Sequence, residues 1–170
     1  MTMRRSLAEL SPQEILWVAL RIEERNARIY ENYAEMFEWY EPDVARTFRE
    51  MAREEREHGR RLGVMYAERY GDAVCDLTEE EIREIVEAPV FEDGEAFIYD
   101  RARRRHAFEV GREAERRARA FYAEMAERAT DAAVRALFRE LAEIESEHEA
   151  LLAQKLAEDS ARDREERGEP

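Results

Sequence analysis

One cysteine, Cys75, is all the sequence contains. A single thiol excludes an internal disulfide framework, and equally a four-cysteine iron or zinc site within this chain. A reducing cytoplasm is the expected compartment. Six glycines and four prolines leave little to interrupt helices. No run reaches the roughly 18 apolar residues of a membrane span, so direct membrane insertion by this chain is not expected. The start, Met1 to Ser6, is not followed by the apolar stretch of a secretory signal. Positive charge is also short: 28 basic residues stand against 42 acidic ones, a formal charge of -14. That argues against a nucleic-acid backbone as partner and suits attraction of small cations, although a solvated helical surface accounts for most such charge by itself.

What is present is Ala, Glu, Arg and Leu in quantity, which favours long helices, in a chain long enough for one domain with a full core. Residues 1–10 read as a lead-in. Ser11-Pro12-Gln13-Glu14 combines a serine cap, proline in the first turn and a glutamate three after the cap, the start of a helix expected to reach about Trp39. A second helix is expected from Pro42 to Tyr70, ended by Gly71. Thr78 with Glu81 opens a short helix to about Ala88, and Pro89 and Asp93-Gly94 end that segment. A third long helix should start near Gly94 or Glu95 and reach Arg128. Thr130-Asp131 caps a fourth, expected to stop near Glu158. The charged tail, 159–170, has no apolar stripe and reads as frayed, disordered or a linker. The fold expected is all-α: a four-helix bundle over 11–158, with a long crossover carrying the short helix between the second and third long helices, so that those two run parallel.

The two halves repeat. Phe48-Arg49-Glu50-Met51-Ala52 matches Phe138-Arg139-Glu140-Leu141-Ala142, and each copy then reaches Glu-x-x-His: Glu55 with His58, and Glu145 with His148. In each half a glutamate precedes a tyrosine by seven, Glu23 to Tyr30 and Glu115 to Tyr122. Helical phase puts Glu23, Glu55, His58, Glu115, Glu145 and His148 on inward stripes.

A buried carboxylate without a partner costs several kcal/mol or is driven neutral. Four carboxylates and two neutral imidazoles balance two divalent cations. Two Glu-x-x-His pairs plus two further glutamates are also the usual ligand set of a carboxylate-bridged metal pair in a helical bundle. Oxygen with imidazole nitrogen and no thiolate suits Fe(II), Mn(II) or Zn(II), and Ca(II) less well. Glu55 and Glu145 are assigned as bridges, Glu23 and Glu115 as terminal ligands, and His58 and His148 as caps on one metal each. Tyr30, Tyr122 and Asn26 are assigned as hydrogen-bonding groups that orient the carboxylates. His106, outside the repeat, reads as surface; Cys75 reads as inert, and Met36, Met51, Met65 and Met125 as packing. Glu54, Glu57 and Glu147 read as pointing away.

These motifs resemble the ferritin-like superfamily, rubrerythrin-type branch, across roughly 11–158. The run Arg4 to Leu10 and the helix order look most like the ferritin-like domain fused in some bacteria to a membrane iron transporter. The resemblance implies a ferritin-like bundle with two Fe ions, oxidising Fe(II) with O2 or H2O2 as a ferroxidase, with Glu55 and Glu145 central to the chemistry and Tyr30 and Tyr122 supporting them. Two other functions stay open: a peroxidase with an external electron donor, and an iron sensor or delivery domain that docks to a transporter or storage partner. Many rubrerythrins have a further glutamate one turn from the third-helix ligand, where this chain has Arg112 and Ala118. A homodimer is the default assembly expected.

Overall fold

The computed structural model describes residues 6–86 and 100–168. A short 3-10 turn, Leu7–Glu9, leads into α1 (Pro12–Phe37), α2 (Pro42–Tyr70), α3 (Glu79–Val86), α4 (Asp100–Arg128) and α5 (Ala132–Arg167). The described residues contain no strand, so the chain is all-α, as its composition implies. No helix among them is long and apolar enough to cross a membrane.

The caps are those the sequence encodes. The Ser11 hydroxyl accepts from the Glu14 amide, and the Glu14 carboxylate accepts from the Ser11 amide at 2.8 Å. Thr78 and Glu81 repeat the exchange ahead of α3. Asp131 accepts from the amides of Ala133 and Val134 to start α5. Each closes donors that a helix N-terminus leaves open. Gly71 ends α2 at φ 60°, a conformation that penalises any residue with a Cβ.

The long helices form two pairs, α1 with α2 and α4 with α5. Their directions follow from the cross-helix contacts. Glu31 meets Arg56 while Glu23 meets His58, so α1 and α2 are antiparallel. Arg104 meets Asp159 while Arg119 meets Glu149, so α4 and α5 are antiparallel. Between the pairs, Tyr30 reaches Glu115 and Tyr122 reaches Glu23, so α1 and α4 are antiparallel too. α2 and α4 therefore run the same way, the arrangement expected of a long crossover.

Two apolar clusters fill the bundle. One gathers Leu16, Ile22, Leu62, Phe121, Phe138 and Leu141 toward one end. The other gathers Phe37, Phe48, Met51, Phe108 and Leu152 toward the opposite end. The charged layer described below lies between them: on α1 Glu23 stands between Leu16 and Tyr30, and on α2 Glu55 stands between Phe48 and Leu62, each two turns away on the same face.

Three boundary expectations change or fall away. α5 does not stop near Glu158; it runs to Arg167 and ends at Gly168, φ 66°. The reason is an ion cluster that hydrophobic periodicity does not register. The buried Arg104 guanidinium donates to Asp159 at 3.0 Å and to Glu41 at 3.1 Å, which carries the helix past the end of its apolar stripe. Asp159, expected in a loose tail, is itself buried. α1 ends at Phe37 rather than Trp39, leaving Trp39 exposed. Met36, expected in the packing, is also exposed, whereas Met51 and Met125 are buried as expected. The expected end of the short helix at Ala88, the Pro89 and Asp93-Gly94 breaks and the start near Gly94 or Glu95 lie outside the described residues.

Removing one member of a buried ion pair strands the other. Asp159→Ala is expected to cost about 3 kcal/mol, with much of the loss recovered by pairing it with Arg104→Met. Urea denaturation checks this. A chain ending at Glu158 should show the same loss, whereas an unchanged midpoint would mean that the last two turns of α5 contribute nothing.

Candidate metal centre

Each half of the bundle brings one glutamate from its first helix and a Glu-x-x-His pair from its second. Glu23 stands on α1, Glu55 and His58 on α2, Glu115 on α4, Glu145 and His148 on α5. Glu23, Glu55, Glu115 and Glu145 have no solvent exposure, and the two histidines are nearly as buried. All six residues expected from the sequence thus meet in one layer.

They divide into two overlapping sets. Glu23, Glu55, His58 and Glu145 form one; Glu55, Glu115, Glu145 and His148 form the other. Within each set one ligand atom from every residue lies within 4.8 Å of all the others. Glu55 and Glu145 belong to both, so each carboxylate could serve two ions. His58 Nδ1 lies 3.2 Å from Glu23, 3.5 Å from Glu145 and 3.8 Å from Glu55. His148 Nδ1 lies 3.4 Å from Glu55 and 3.5 Å from both Glu115 and Glu145. The rings are 6.1 Å apart, centre to centre.

The layer is polar beyond what the protein satisfies. Both carboxylate oxygens of Glu55, both of Glu145, Oε2 of Glu115 and Nδ1 of His148 are buried without a hydrogen-bond partner. Native interiors tolerate few such atoms. All six are hard or borderline donors turned toward the shared space, a set that fits two divalent cations of the iron, manganese or zinc kind.

The titration behaviour has the same origin. Burial, then the fields of Glu145, Glu115 and Glu23, push Glu55 well above its ordinary value. Burial and Glu115 do the same to Glu145. Glu115 moves the other way: burial is outweighed by contacts with Glu145, His148 and Tyr30, which hold it down. Burial alone would lower both histidines, but Glu23 raises His58, and Glu115, Glu145 and Glu55 raise His148. Without metal, protons take the place of cations.

The tyrosines are placed as expected, with a twist of partnership. Tyr30 donates to Glu115 and Tyr122 donates to Glu23, so each orients the carboxylate of the opposite half rather than the one on its own helix. Burial, followed by the carboxylate fields, raises both phenols well above their ordinary value, so they remain donors. Tyr30 can reach across because Gly111 faces it: a Cβ there would lie 3.1 Å from Leu152 Cδ1 and 3.4 Å from the Tyr30 ring.

The sequence profile of the rubrerythrin family matches residues 14–157. This chain belongs to that family. The fold is shared with solved structures: a hypothetical protein from Pyrococcus furiosus, 20% identical, TM-score 0.76, covering 91% of this chain and 94% of that one, and an uncharacterized conserved protein from Magnetospirillum magnetotacticum, 25% identical, TM-score 0.71, covering 88% and 95%. No curated protein matches the chain. As a rubrerythrin-family protein it is a ferritin-like bundle with a buried carboxylate and histidine cluster suited to metal.

Two residues depart from the sequence reading. Asn26 is fully buried, but its carboxamide atoms meet no protein partner, so it does not hold a carboxylate in place. Glu54, set aside as outward-pointing, lies 2.7 Å from His148 Nε2. The signal that could have found it is a break in the repeat: its counterpart ninety residues on is Ile144. His106 is exposed, as expected. Cys75 is half-buried beside the Tyr66 hydroxyl, and burial raises its thiol.

The signs of the shifts agree for the metal-free chain. Raised carboxyls such as Glu55 and Glu145 cost the fold stability progressively as pH climbs from their ordinary 4.5 toward the raised value. Raised imidazoles stabilise it fully below their ordinary 6.5 and lose that contribution as pH climbs through the raised value. Glu115 is lowered and ionised throughout. Metal-free stability should therefore fall as pH rises above about 6.5, while Mn(II), which competes with those protons, should stabilise more at higher pH. Melting curves with and without Mn(II), from about pH 6 to about pH 9, check this: a widening gap is expected, and a flat or narrowing one contradicts it.

Proposed function

We propose that the chain is a di-iron carboxylate protein that oxidises Fe(II) with O2 or H2O2, using Glu23, Glu55, His58, Glu115, Glu145 and His148 as ligands. The observation that carries the proposal is the pair of overlapping four-residue donor sets sharing Glu55 and Glu145. Bound iron would supply one-electron steps, two Fe(II) giving the two electrons that reduce O2 to H2O2, or H2O2 to water.

The chain's own residues do the rest. Glu55 and Glu145, free of other hydrogen bonds, can change binding mode as the metal charge changes. Glu23 and Glu115 are held at one oxygen by Tyr122 and Tyr30, which fixes the outer ends of the site while the shared carboxylates stay adaptable. Phe48, Phe108, Phe138 and Leu152 close the layer from both sides and keep bulk water from it. Ala118 is buried and Arg112 exposed, so α4 offers no second carboxylate one turn from Glu115. That favours a six-ligand ferroxidase site over the peroxidase reading with an external electron donor. The sensor or delivery reading differs in turnover.

Anaerobic reconstitution followed by aerobic Fe(II) addition tests the proposal. Two irons per chain are expected, followed by oxidation of many further equivalents. Glu145→Ala, which removes a ligand from both sets, should reduce bound iron to one or none and abolish oxidation. Two bound irons without turnover would favour the delivery reading. Absence of bound metal would overturn all three.

A further inference from the structure

The duplication that builds the metal layer is broken at one place that touches a ligand. Repeat positions on the second helix of each half are ninety residues apart: Glu55 with Glu145, His58 with His148, and hence Glu54 with Ile144. The Glu54 carboxylate lies 2.7 Å from His148 Nε2. At the corresponding position in the other half, Ile144 offers no acceptor, and no described residue is hydrogen-bonded to His58 Nε2.

The consequence follows from imidazole chemistry. Both histidines turn Nδ1 toward the carboxylate layer, so Nδ1 supplies the lone pair to a metal and Nε2 carries the hydrogen. An N–H donated to a carboxylate fixes that tautomer, holds the ring's orientation and makes Nδ1 a stronger donor. His148 has this support and His58 lacks it. Glu54 is about half exposed, so it meets the ring from outside the buried layer.

We propose that Glu54 is a positioning residue that makes the two metal sites unequal: the site formed by Glu55, Glu115, Glu145 and His148 fills first, and the site formed by Glu23, Glu55, His58 and Glu145 fills second and more weakly. This rests on the two-metal reading above and adds an order of loading to it. It also assigns the more easily vacated position to the His58 half, where an incoming Fe(II) would be taken up and released while the His148 half stays occupied.

Anaerobic titration of the metal-free full-length chain with Co(II), followed by calorimetry and visible absorption, tests the order without turnover. The wild type should show two steps of unequal affinity. Glu54→Ala should weaken the tighter step by about ten- to a hundredfold and bring the two steps together. Glu54→Gln, which keeps an acceptor without the charge, should weaken it less. Ile144→Glu should transfer the device and tighten the weaker step, an effect that a merely structural role for Glu54 would not produce. Glu147→Ala, which removes the same charge beside His148 without touching a ring nitrogen, is the control. Thermal melts of the metal-free variants confirm that each folds. Equal steps in the wild type, no change in Glu54→Ala, equal weakening of both steps, or a matching loss in Glu147→Ala would each overturn the proposal while leaving the two-metal reading intact. A wild type that binds no Co(II) would overturn both.

Discussion

Four carboxylates packed into the middle of a helical bundle repel one another, and little in the bundle's interior answers them. That repulsion shapes the rest of the molecule. It explains why Glu55 and Glu145 resist ionisation, why both histidines attract protons, and why two tyrosines are spent on holding Glu23 and Glu115. A buried like-charge cluster is tolerated only when counter-charge is supplied. In the function proposed, two divalent cations would supply it at neutrality. The apolar clusters on either side raise the cost of leaving the layer uncompensated, since a low dielectric strengthens every interaction within it.

Duplication is how the chain reaches this arrangement. One helix pair carries half of the proposed ligand set and buries neither its apolar stripe nor its charges alone. Two pairs, packed with α1 against α4, complete both. The crossed tyrosines tie the halves together: Tyr30 serves Glu115 and Tyr122 serves Glu23, so the carboxylates of one half are oriented only when the other half is in place. Departures from symmetry then mark where the two halves differ. Glu54 has Ile144 as its counterpart, and Asn26, buried without a protein partner, has Ala118 at the matching offset from Glu115.

Periodicity made much of this legible. Glu23 and Glu115 stood out because each interrupts an apolar stripe, and Glu-x-x-His because it occurs twice in phase. The caps at Ser11, Thr78 and Asp131 were readable because capping is a local matter of three or four residues. What periodicity could not register was chemistry between helices. Asp159 has no apolar stripe around it, and its burial depends on Arg104, 55 residues away in the chain. Glu54 is a quarter-turn off the inward face on its own helix and matters only because α5 places His148 Nε2 beside it. The crossed partnership of the tyrosines likewise depends on how α1 and α4 meet. Each of these requires the packing of two helices, which one helix's sequence does not contain.

The claim beneath all of it is that a pair of cations completes the layer. Anomalous scattering from crystals grown anaerobically with Fe(II), recorded on both sides of the iron edge, tests it most directly. The account predicts two peaks about 3.5–4 Å apart between the Glu55 and Glu145 carboxylates, one beside His58 and one beside His148. Iron found only at surface carboxylates, with none between those four glutamates, would contradict it.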